Sequence, residues 1–349
     1  MMYPSDRSLI SLALLDSNTR YQDEYLRSEV KELLGSSRNK MQLPFTREDF
    51  LIKGPIKQKG MSISGYQPKL SLALDADGLL NMVEHQAQFI LKPSPQNFPN
   101  LAANEHATML AMKQLGFDLP PFGLVRFKSE LSGGEVAFLI RRYDRQLFDK
   151  DVIHQEQLDG AMGVAEKYGK IKNDDEGYIS YEQACLFMIR NIDSSLAFKR
   201  ELFNRVLAAY FLGNNDLHLR NFGLLHPLGQ KATLAPVYDY VSVAPYKGYI
   251  ANENSLALPL LAEEEGNNNT SSGQHSHCTY TGYDFLNFGE KIGLSRKLAQ
   301  KLITTLLKQK NKIKCIYQDS LMPKADVDKV LEWIDSREHY LQVNQHVDI

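Results

Sequence analysis

The chain has 349 residues, of which 43% are hydrophobic, 10% aromatic and 23% charged, and its formal net charge is −2. That is ordinary globular composition in a chain too long for one core of usual size, so two lobes are expected, and the balanced charge argues against a protein that grips nucleic acid directly through phosphates. Three cysteines, Cys185, Cys278 and Cys315, are widely spaced and odd in number, which fits a reducing cytoplasm better than a disulfide framework.

Asp6 and Arg7 precede a short apolar run over residues 9–15 with no cleavage-site pattern after it, so no signal peptide is expected. No segment approaches the roughly 20 apolar residues that a membrane span needs. Residues 17–35 read as a helix with Tyr21, Tyr25, Val30, Leu33 and Leu34 roughly on one face and Gly35 closing it. Residues 38–60 read as a polar connection or surface.

Residues 69–74 alternate as a strand, and Asp75-Ala-Asp-Gly78 is a turn signal. Residues 88–92 form a second strand stopped by Pro93. Asn100 can cap a helix ending at Gly116. Residues 122–127 and 135–140 read as an antiparallel pair joined through Ser132-Gly133-Gly134. The order is strand, strand, helix, strand, strand.

Beyond residue 145 the pattern turns helical, over 181–191 and 199–212, followed by short strands and loops over 213–243. Residues 266–277 read as a polar, mobile loop. Ser295 caps a helix carrying Leu298, Leu302, Leu306 and Leu307 on one face, and the basic run 308–314 complements its negative end as a solvated terminus. His275, His277 and Cys278 are metal-like in type but have no second cluster at zinc spacing, so they read as loop composition. Met109 and Met112 read as core.

The strongest chemical signal is Asn214-Asn-Asp-Leu-His-Leu-Arg-Asn221. Phosphoryl transfer needs a carboxylate to hold the attacking hydroxyl in line and ligands for a metal that neutralises the phosphates. Asp216 and Asn221 have the D-x-x-x-x-N spacing of a kinase catalytic loop. Asp239, read between two short apolar strands, is the expected second metal-binding carboxylate. Asp216 is thus the candidate base or hydroxyl-orienting group, with Asn221 and Asp239 as Mg²⁺ ligands. A lone loop aspartate is usually a turn former, and it is the combination that carries the reading.

Lys92 ends a strand, and Glu105 follows inside the next helix, an arrangement that can present one lysine to ATP phosphates. Alone, the two would also fit a strand-end lysine and a solvated glutamate. The small-residue stretch Gly60-Met-Ser62-Ile-Ser64-Gly65-Tyr66-Gln67-Pro68-Lys69 could bring backbone N–H groups to phosphates, but it matches neither a Walker A loop, nor a kinase glycine loop, nor a hydrolase elbow.

Together these residues resemble the HipA-type toxin kinases of bacterial toxin–antitoxin systems. The resemblance runs from about residue 61 to 246, more weakly to 333. It rests on the S-x-x-G-x-Q-x-K loop starting at Ser62, on Phe89-Ile-Leu-Lys-Pro, Asn104-Glu-His, Ile140-Arg-Arg-Tyr-Asp-Arg145, residues 215–221, and Pro236-Val-Tyr-Asp-Tyr, all in family order. It implies an α+β, bilobal protein-kinase-like fold. Residues 1–145 would form a mixed α/β N-lobe with the Ser/Gly loop, the nucleotide-binding lysine and the hinge. Residues 146–349 would form a mainly helical C-lobe with the catalytic and metal-binding loops.

By the same resemblance the chain is a serine/threonine kinase using ATP and Mg²⁺, with an aminoacyl-tRNA synthetase as substrate. Ser64, Gly65, Tyr66, Gln67, Pro68 and Lys69 would lie along the nucleotide. Arg141, Arg142 and Tyr143 would form the adenine hinge. His218, Arg220, Asn221, Tyr238 and Asp239 would approach the phosphates and metal.

The Ser/Gly loop begins early in this chain, where long family members carry an extra N-terminal subdomain; it is missing here unless residues 1–60 are a reduced form of it. That shortening, and the paired serines, are similar to the HipT kinases of three-part HipBST systems. The similarity implies a small HipS-like protein and a DNA-binding HipB-like antitoxin as partners, with nucleic acid reached only through a partner. Phosphate on Ser62 or Ser64 carries a charge of about −1.5 to −2; autophosphorylation there is expected to repel ATP or expel the loop. Other readings remain. The D-x-H-x-x-N string also resembles phosphatidylinositol kinases, so a small-molecule or lipid kinase is the runner-up, although no basic amphipathic membrane helix is seen. A pseudokinase binding module is a third reading, against which stand the intact Lys92, Glu105, Asp216, Asn221 and Asp239.

Overall fold

The stretch expected to be one helix from residue 17 opens as a hairpin instead. Tyr21–Gln22 (β1) and Tyr25–Leu26 (β2) pair antiparallel, Asp23 in the turn takes φ 53°, and helix α1 covers only Arg27–Leu34. Tyr21 and Tyr25 have helical spacing, but distant partners override it. Glu24 accepts two hydrogen bonds from Arg126, at 2.5 and 2.7 Å, and the Tyr25 hydroxyl donates to the Leu124 carbonyl at 3.1 Å. Gly35 closes α1 at φ 82°, as expected.

The computed structural model describes residues 6–16, 21–57, 68–129, 134–145, 147, 151–169, 178–249, 256–267 and 271–344. The chain divides into two compact units. The first holds residues 1–110, 118–152 and 318–323; the second holds 111–117, 153–317 and 324–349. The division expected after residue 145 therefore falls inside a segment of the first unit that runs on to Val152.

In the first unit, α2 (Arg47–Lys57) replaces part of the expected polar connection. Its start is a capping box: the Asp49 N–H donates to the Thr46 hydroxyl, and Asp49 accepts from the Thr46 N–H, both at 3.1 Å. Phe50, buried, meets Phe127 edge-on. Strands β3 (Leu70–Leu74), β4 (Leu80–Met82), β5 (Phe89–Pro93), β6 (Phe122–Arg126) and β7 (Val136–Arg141) form one sheet in the order β4-β3-β5-β7-β6, every pair antiparallel. The 75–78 turn forms with Gly78 at φ 74°. Strand β4 is the addition to the expected order; three residues are too short to show a period. The expected turn at Ser132 and Gly133 lies outside the described residues.

Helix α3 (Leu101–Gln114) follows β5, and its last turn is counted with the second unit. Its Ala102 N–H donates to the Ser94 hydroxyl at 3.0 Å, and Gly116 ends the stretch at φ 88°. The N-terminal segment lies on β6, where the Leu124 N–H donates to the Leu9 carbonyl at 2.8 Å. Gly123 has no Cβ because Ile10 would be 2.7 Å from it.

His106 on α3 is fully buried, edge-on to Phe122, with Nε2 2.8 Å from the Ile10 carbonyl. Burial pulls its imidazole down to about 4, against a smaller upward pull from the Ile10 hydrogen bond. The unfolded chain binds this proton near pH 6.5 and the folded chain does not, so the stability present above that pH is lost progressively as pH falls towards 4. Between pH 7 and 5 the wild type is expected to lose about 2 kcal/mol more than His106→Gln, at about 1.4 kcal/mol per pH unit of the window. Urea unfolding of both proteins at the two pH values checks this; parallel losses would remove His106 as the cause.

The second unit carries a small antiparallel sheet, β10-β9-β8, from β8 (His154–Gln157), β9 (Gly223–His226) and β10 (Thr233–Leu234). Its helices are α4 (Leu158–Met162), α5 (Tyr181–Asn191), α6 (Leu196–Leu212), α7 (Ser272–His277), α8 (Gly282–Lys291), α9 (Arg296–Leu307), α10 (Lys310–Asp319) and α11 (Lys324–Leu341). Serine hydroxyls cap four of them, Ser180 on α5, Ser195 on α6, Ser271 on α7 and Ser295 on α9, each accepting from the N–H three residues on.

Two expectations are corrected here. Part of the polar stretch expected as a loop over 266–277 folds as α7, because Ser271 is buried as its cap and Gly273 fits closely against Asp284; residues 268–270 lie outside the described set. The basic run over 308–314 keeps Lys308 and Lys312 exposed, as a solvated helix end would, but goes on into α10. Lys310 pairs with Glu338, and Lys314 reaches Asp335 at 2.8 Å, both on α11.

Helix α6 is the centre of this core, with every residue from Val206 to Leu212 buried. Helix α11 fastens its end. The Trp333 indole N–H donates to the Tyr210 carbonyl at 3.2 Å, and the Arg337 guanidinium lies over the rings of Tyr210 and Trp333, at 4.7 and 4.0 Å. Gly213 then turns the chain at φ 78°, with the Trp333 ring 3.0 Å from where a Cβ would stand.

Candidate active site

In the first unit, β5 carries Lys92 and α3 carries Glu105. Their side chains meet at 2.5 Å with exposures of only 5% and 0%, and the ammonium lies 5.6 Å from the centre of the Phe138 ring on the neighbouring strand β7. Taking two charges out of water costs several kcal/mol, so such a pair adds little to stability over an apolar one. It does fix a lysine ammonium at one point, beside Glu105.

At the end of β7, the Arg142 N–H donates to the Gln88 carbonyl at 2.9 Å and the Arg141 N–H to the Pro121 carbonyl at 2.9 Å. Asp144 receives Arg142 at 2.6 Å and Arg145 at 3.1 Å. Burial alone would raise the Asp144 carboxyl, but those two guanidinium groups outweigh it and hold it below the usual carboxylate range. Tyr143 lies in the same stretch. Pro68 and Lys69 lead into β3, while Ser62, Ser64, Gly65, Tyr66 and Gln67 lie outside the described residues.

In the second unit, the end of α6 at Gly213 releases a loop that closes on itself. Asn214 Oδ1 accepts from the Asp216 N–H at 3.2 Å, and Asn221 Nδ2 donates to the Asp216 carbonyl at 2.8 Å. The Tyr181 hydroxyl donates to the Leu217 carbonyl at 2.6 Å, and buried Leu217, Leu219 and Phe222 anchor the loop in the core. Asp216 is left with its side chain 52% exposed, as a group that receives a substrate must be.

Around it stand Lys167, 3.4 Å from Asp216 Oδ1, and His218, whose Nε2 is 3.8 Å away. Burial is the main influence on His218 and holds its imidazole below the ordinary range, although Asp216 and Asp239 pull it upward. It is therefore neutral at pH 7. Burial also works against the charge of Lys167, but Asp216 and Tyr168 together more than offset it and hold the ammonium above its ordinary value. Arg220 donates to the buried Asp159 at 2.7 Å, and the Tyr238 hydroxyl donates to the Arg220 carbonyl at 3.0 Å, which ties residues 238–239 to the catalytic loop.

Asp239 takes φ 61°, a left-handed backbone that an aspartate tolerates better than most residues. It was expected between two strands. Strand β10 ends at Leu234, and residues 235–243 form no regular element. The donor chemistry fits Mg²⁺: Asn221 turns its amide nitrogen into the loop, so its oxygen and the Asp239 carboxylate make a small set of hard ligands. Among the described residues no cluster of three His, Cys, Asp or Glu could hold a metal by itself, His275, His277 and Cys278 included.

Lys167, Tyr168 and Asp159 are absent from the sequence reading. Lys167 meets Asp216 across 49 positions and Asp159 meets Arg220 across 61, separations that leave no local spacing to find.

The model for the HipA-like C-terminal domain family matches residues 61–313. The chain belongs to this family. A relative from Haemophilus influenzae, named "Putative kinase", is 50% identical over 293 residues, covering 83% of this chain and 84% of the relative. Another, "Putative kinase Y4dM" of Sinorhizobium fredii, is 29% identical over 178 residues, 49% of this chain and 40% of that protein.

Among solved structures, HipA in the Shewanella oneidensis complex of HipA, HipB and operator DNA superposes with a TM-score of 0.62 at 20% identity, covering 83% of this chain and 68% of that one. The Helicobacter pylori proinflammatory kinase CtkA gives 0.51 at 14% identity, covering 81% and 92%. At such identities the likeness is one of fold, and it establishes the expected HipA-like, kinase-type α+β fold. No helix among the described residues is long and apolar enough to cross a membrane.

Proposed function

We propose that this chain is an ATP- and Mg²⁺-dependent serine/threonine protein kinase and the toxin of a toxin–antitoxin system. The observation that carries the reading is the buried Lys92–Glu105 pair. Stability gives little reason to keep two charges there, whereas a kinase needs one lysine held rigidly for nucleotide phosphates. In this reading Lys92 holds the phosphates, and Asp216 orients the substrate hydroxyl and takes its proton. Asn221 and Asp239 hold the metal, which when bound neutralises phosphate charge. His218, Arg220 and Tyr238 keep that loop in register.

The resemblance to HipA-type kinases extends the reading. Residues 64–69 line the nucleotide phosphates, Arg141, Arg142 and Tyr143 hold the adenine, and an aminoacyl-tRNA synthetase receives the phosphate. Ser62 and Ser64 are phosphorylated by the enzyme itself. The Shewanella protein is seen with HipB and operator DNA; carried over, that gives this chain a HipB-like partner. The resemblance of the paired serines to those of HipT kinases adds a small HipS-like one.

Phosphatase-treated protein incubated with ATP and Mg²⁺, beside Asp216→Ala, tests this by intact mass and fragment mapping of residues 61–69. Phosphate on Ser62 or Ser64 in the wild type alone is expected. Nucleotide binding without phosphate gain would favour a small-molecule kinase, and no nucleotide binding would overturn the kinase reading.

A further inference from the structure

We propose that Lys167, supplied from outside the catalytic loop, is a catalytic residue that grips the phosphoryl group in transit beside Asp216. The proposal rests on the kinase reading above and adds a residue to it.

The transfer itself balances simply. The hydroxyl oxygen of the substrate forms a bond to the terminal phosphorus of ATP, the bond from that phosphorus to the bridging oxygen breaks, and its electron pair leaves with ADP. The hydroxyl proton goes to the Asp216 carboxylate. Negative charge is spread over the moving phosphoryl oxygens throughout, next to a carboxylate that repels them. A cation beside Asp216 answers both charges, and a preorganised one does so without reorganisation at the moment of reaction.

The loop does not supply that cation. The position two residues after Asp216 is His218, a buried imidazole packed edge-on against Tyr168. Arg220 turns its Nε away to Asp159 at 2.7 Å. Lys167 alone among the described lysines and arginines forms an ion pair with Asp216. Its separation of 3.4 Å is longer than a close ammonium–carboxylate bond of about 2.8 Å. The ammonium has further donors for a phosphoryl oxygen.

The lysine is also held for the task. Its carbonyl accepts the Leu219 N–H at 3.0 Å, so its backbone is pinned to the loop it serves. Its ammonium lies 4.7 Å from the centre of the Tyr168 ring, and Tyr168 in turn stands edge-on to His218. Gly169, at φ 73°, lets the segment close against Ile179 and Leu219, where a Cβ would meet them at 2.9 and 3.1 Å. The side chain of Lys167 remains 22% exposed, open to an incoming group.

Calorimetric titration of the full chain with MgADP, and with MgADP plus aluminium fluoride as a mimic of the transferring phosphoryl, tests this in wild type, Lys167→Met, Lys167→Gln and Lys167→Arg. Wild type is expected to bind the fluoride-completed mimic much more tightly than MgADP. In Lys167→Met and Lys167→Gln that preference should fall about 100-fold, the scale of losing one transition-state donor, with MgADP affinity unchanged. Lys167→Arg should restore part of it. Thermal melts establish that each variant is folded, and the pinning carbonyl survives every substitution. A wild-type preference retained in both neutral variants, or equal losses for both ligands, would overturn the role. Failure of the wild type to bind MgADP would instead bring down the kinase reading, and Lys167 with it.

Discussion

Asp216→Asn should lower the rate of phosphate transfer from ATP by about 10²–10⁴-fold, the range for losing a positioned general base. The fold should hardly notice. The Asp216 side chain is 52% exposed, and the loop is held by bonds in which that carboxylate takes no part: Asn221 to the Asp216 carbonyl, and Tyr181 to the Leu217 carbonyl. An exposed substitution of this kind changes stability by about 0.5 kcal/mol or less. KM for ATP should stay within a small factor, because the carboxylate acts on the hydroxyl rather than on the nucleotide. Steady-state phosphorylation and a thermal melt of the same preparation are sufficient. A variant that keeps turnover within threefold would remove Asp216 from the chemistry.

The second large effect separates stability from activity. Lys92→Met strands Glu105, which is 0% exposed, without its cation, and a loss of about 3–5 kcal/mol is expected for such a broken pair. Adding Glu105→Leu removes the stranded charge. The double variant should recover most of that loss, since apolar replacement of both partners of a buried pair is often neutral or stabilising by about 1–4 kcal/mol. Neither variant should bind ATP measurably. Urea unfolding and equilibrium ATP binding on the four proteins of the cycle decide it. A double variant as unstable as Lys92→Met, or one that still binds ATP, would contradict the argument.

How far the sequence could be read depended on whether a signal was local. Ser295, with apolar residues at helical spacing behind it, marked α9, and the 75–78 turn lay between residues that do form strands. The candidate loop over 214–221 could be singled out because its signal is compressed into six consecutive residues, Asp216 to Asn221. Elsewhere distant partners decided. Tyr21 and Tyr25 mimic a helical face, but Arg126 and Leu124 hold that segment as a hairpin. The basic run over 308–314 looked like a solvated helix end until Asp335 and Glu338 came opposite it from α11. The start of α2 is different, because its capping box at Thr46 and Asp49 was local and was passed over. Lys167 belongs with the distant group, as a lysine whose partner lies 49 positions away in another loop.

The clasp between α11 and the end of α6 has a consequence for where this domain stops. The candidate site residues end at Asp239, and the family match ends at residue 313, short of α11. Yet Trp333 bonds the Tyr210 carbonyl and lies against Gly213, at the pivot from which the catalytic loop departs, and the Gly213 carbonyl in turn receives the Val243 N–H at 2.8 Å. The matched stretch is thus shorter than the set of residues packed around that pivot. The loop's pivot is thus packed by a helix more than a hundred positions downstream, and a transplant of residues 61–313 is expected to need that helix with it.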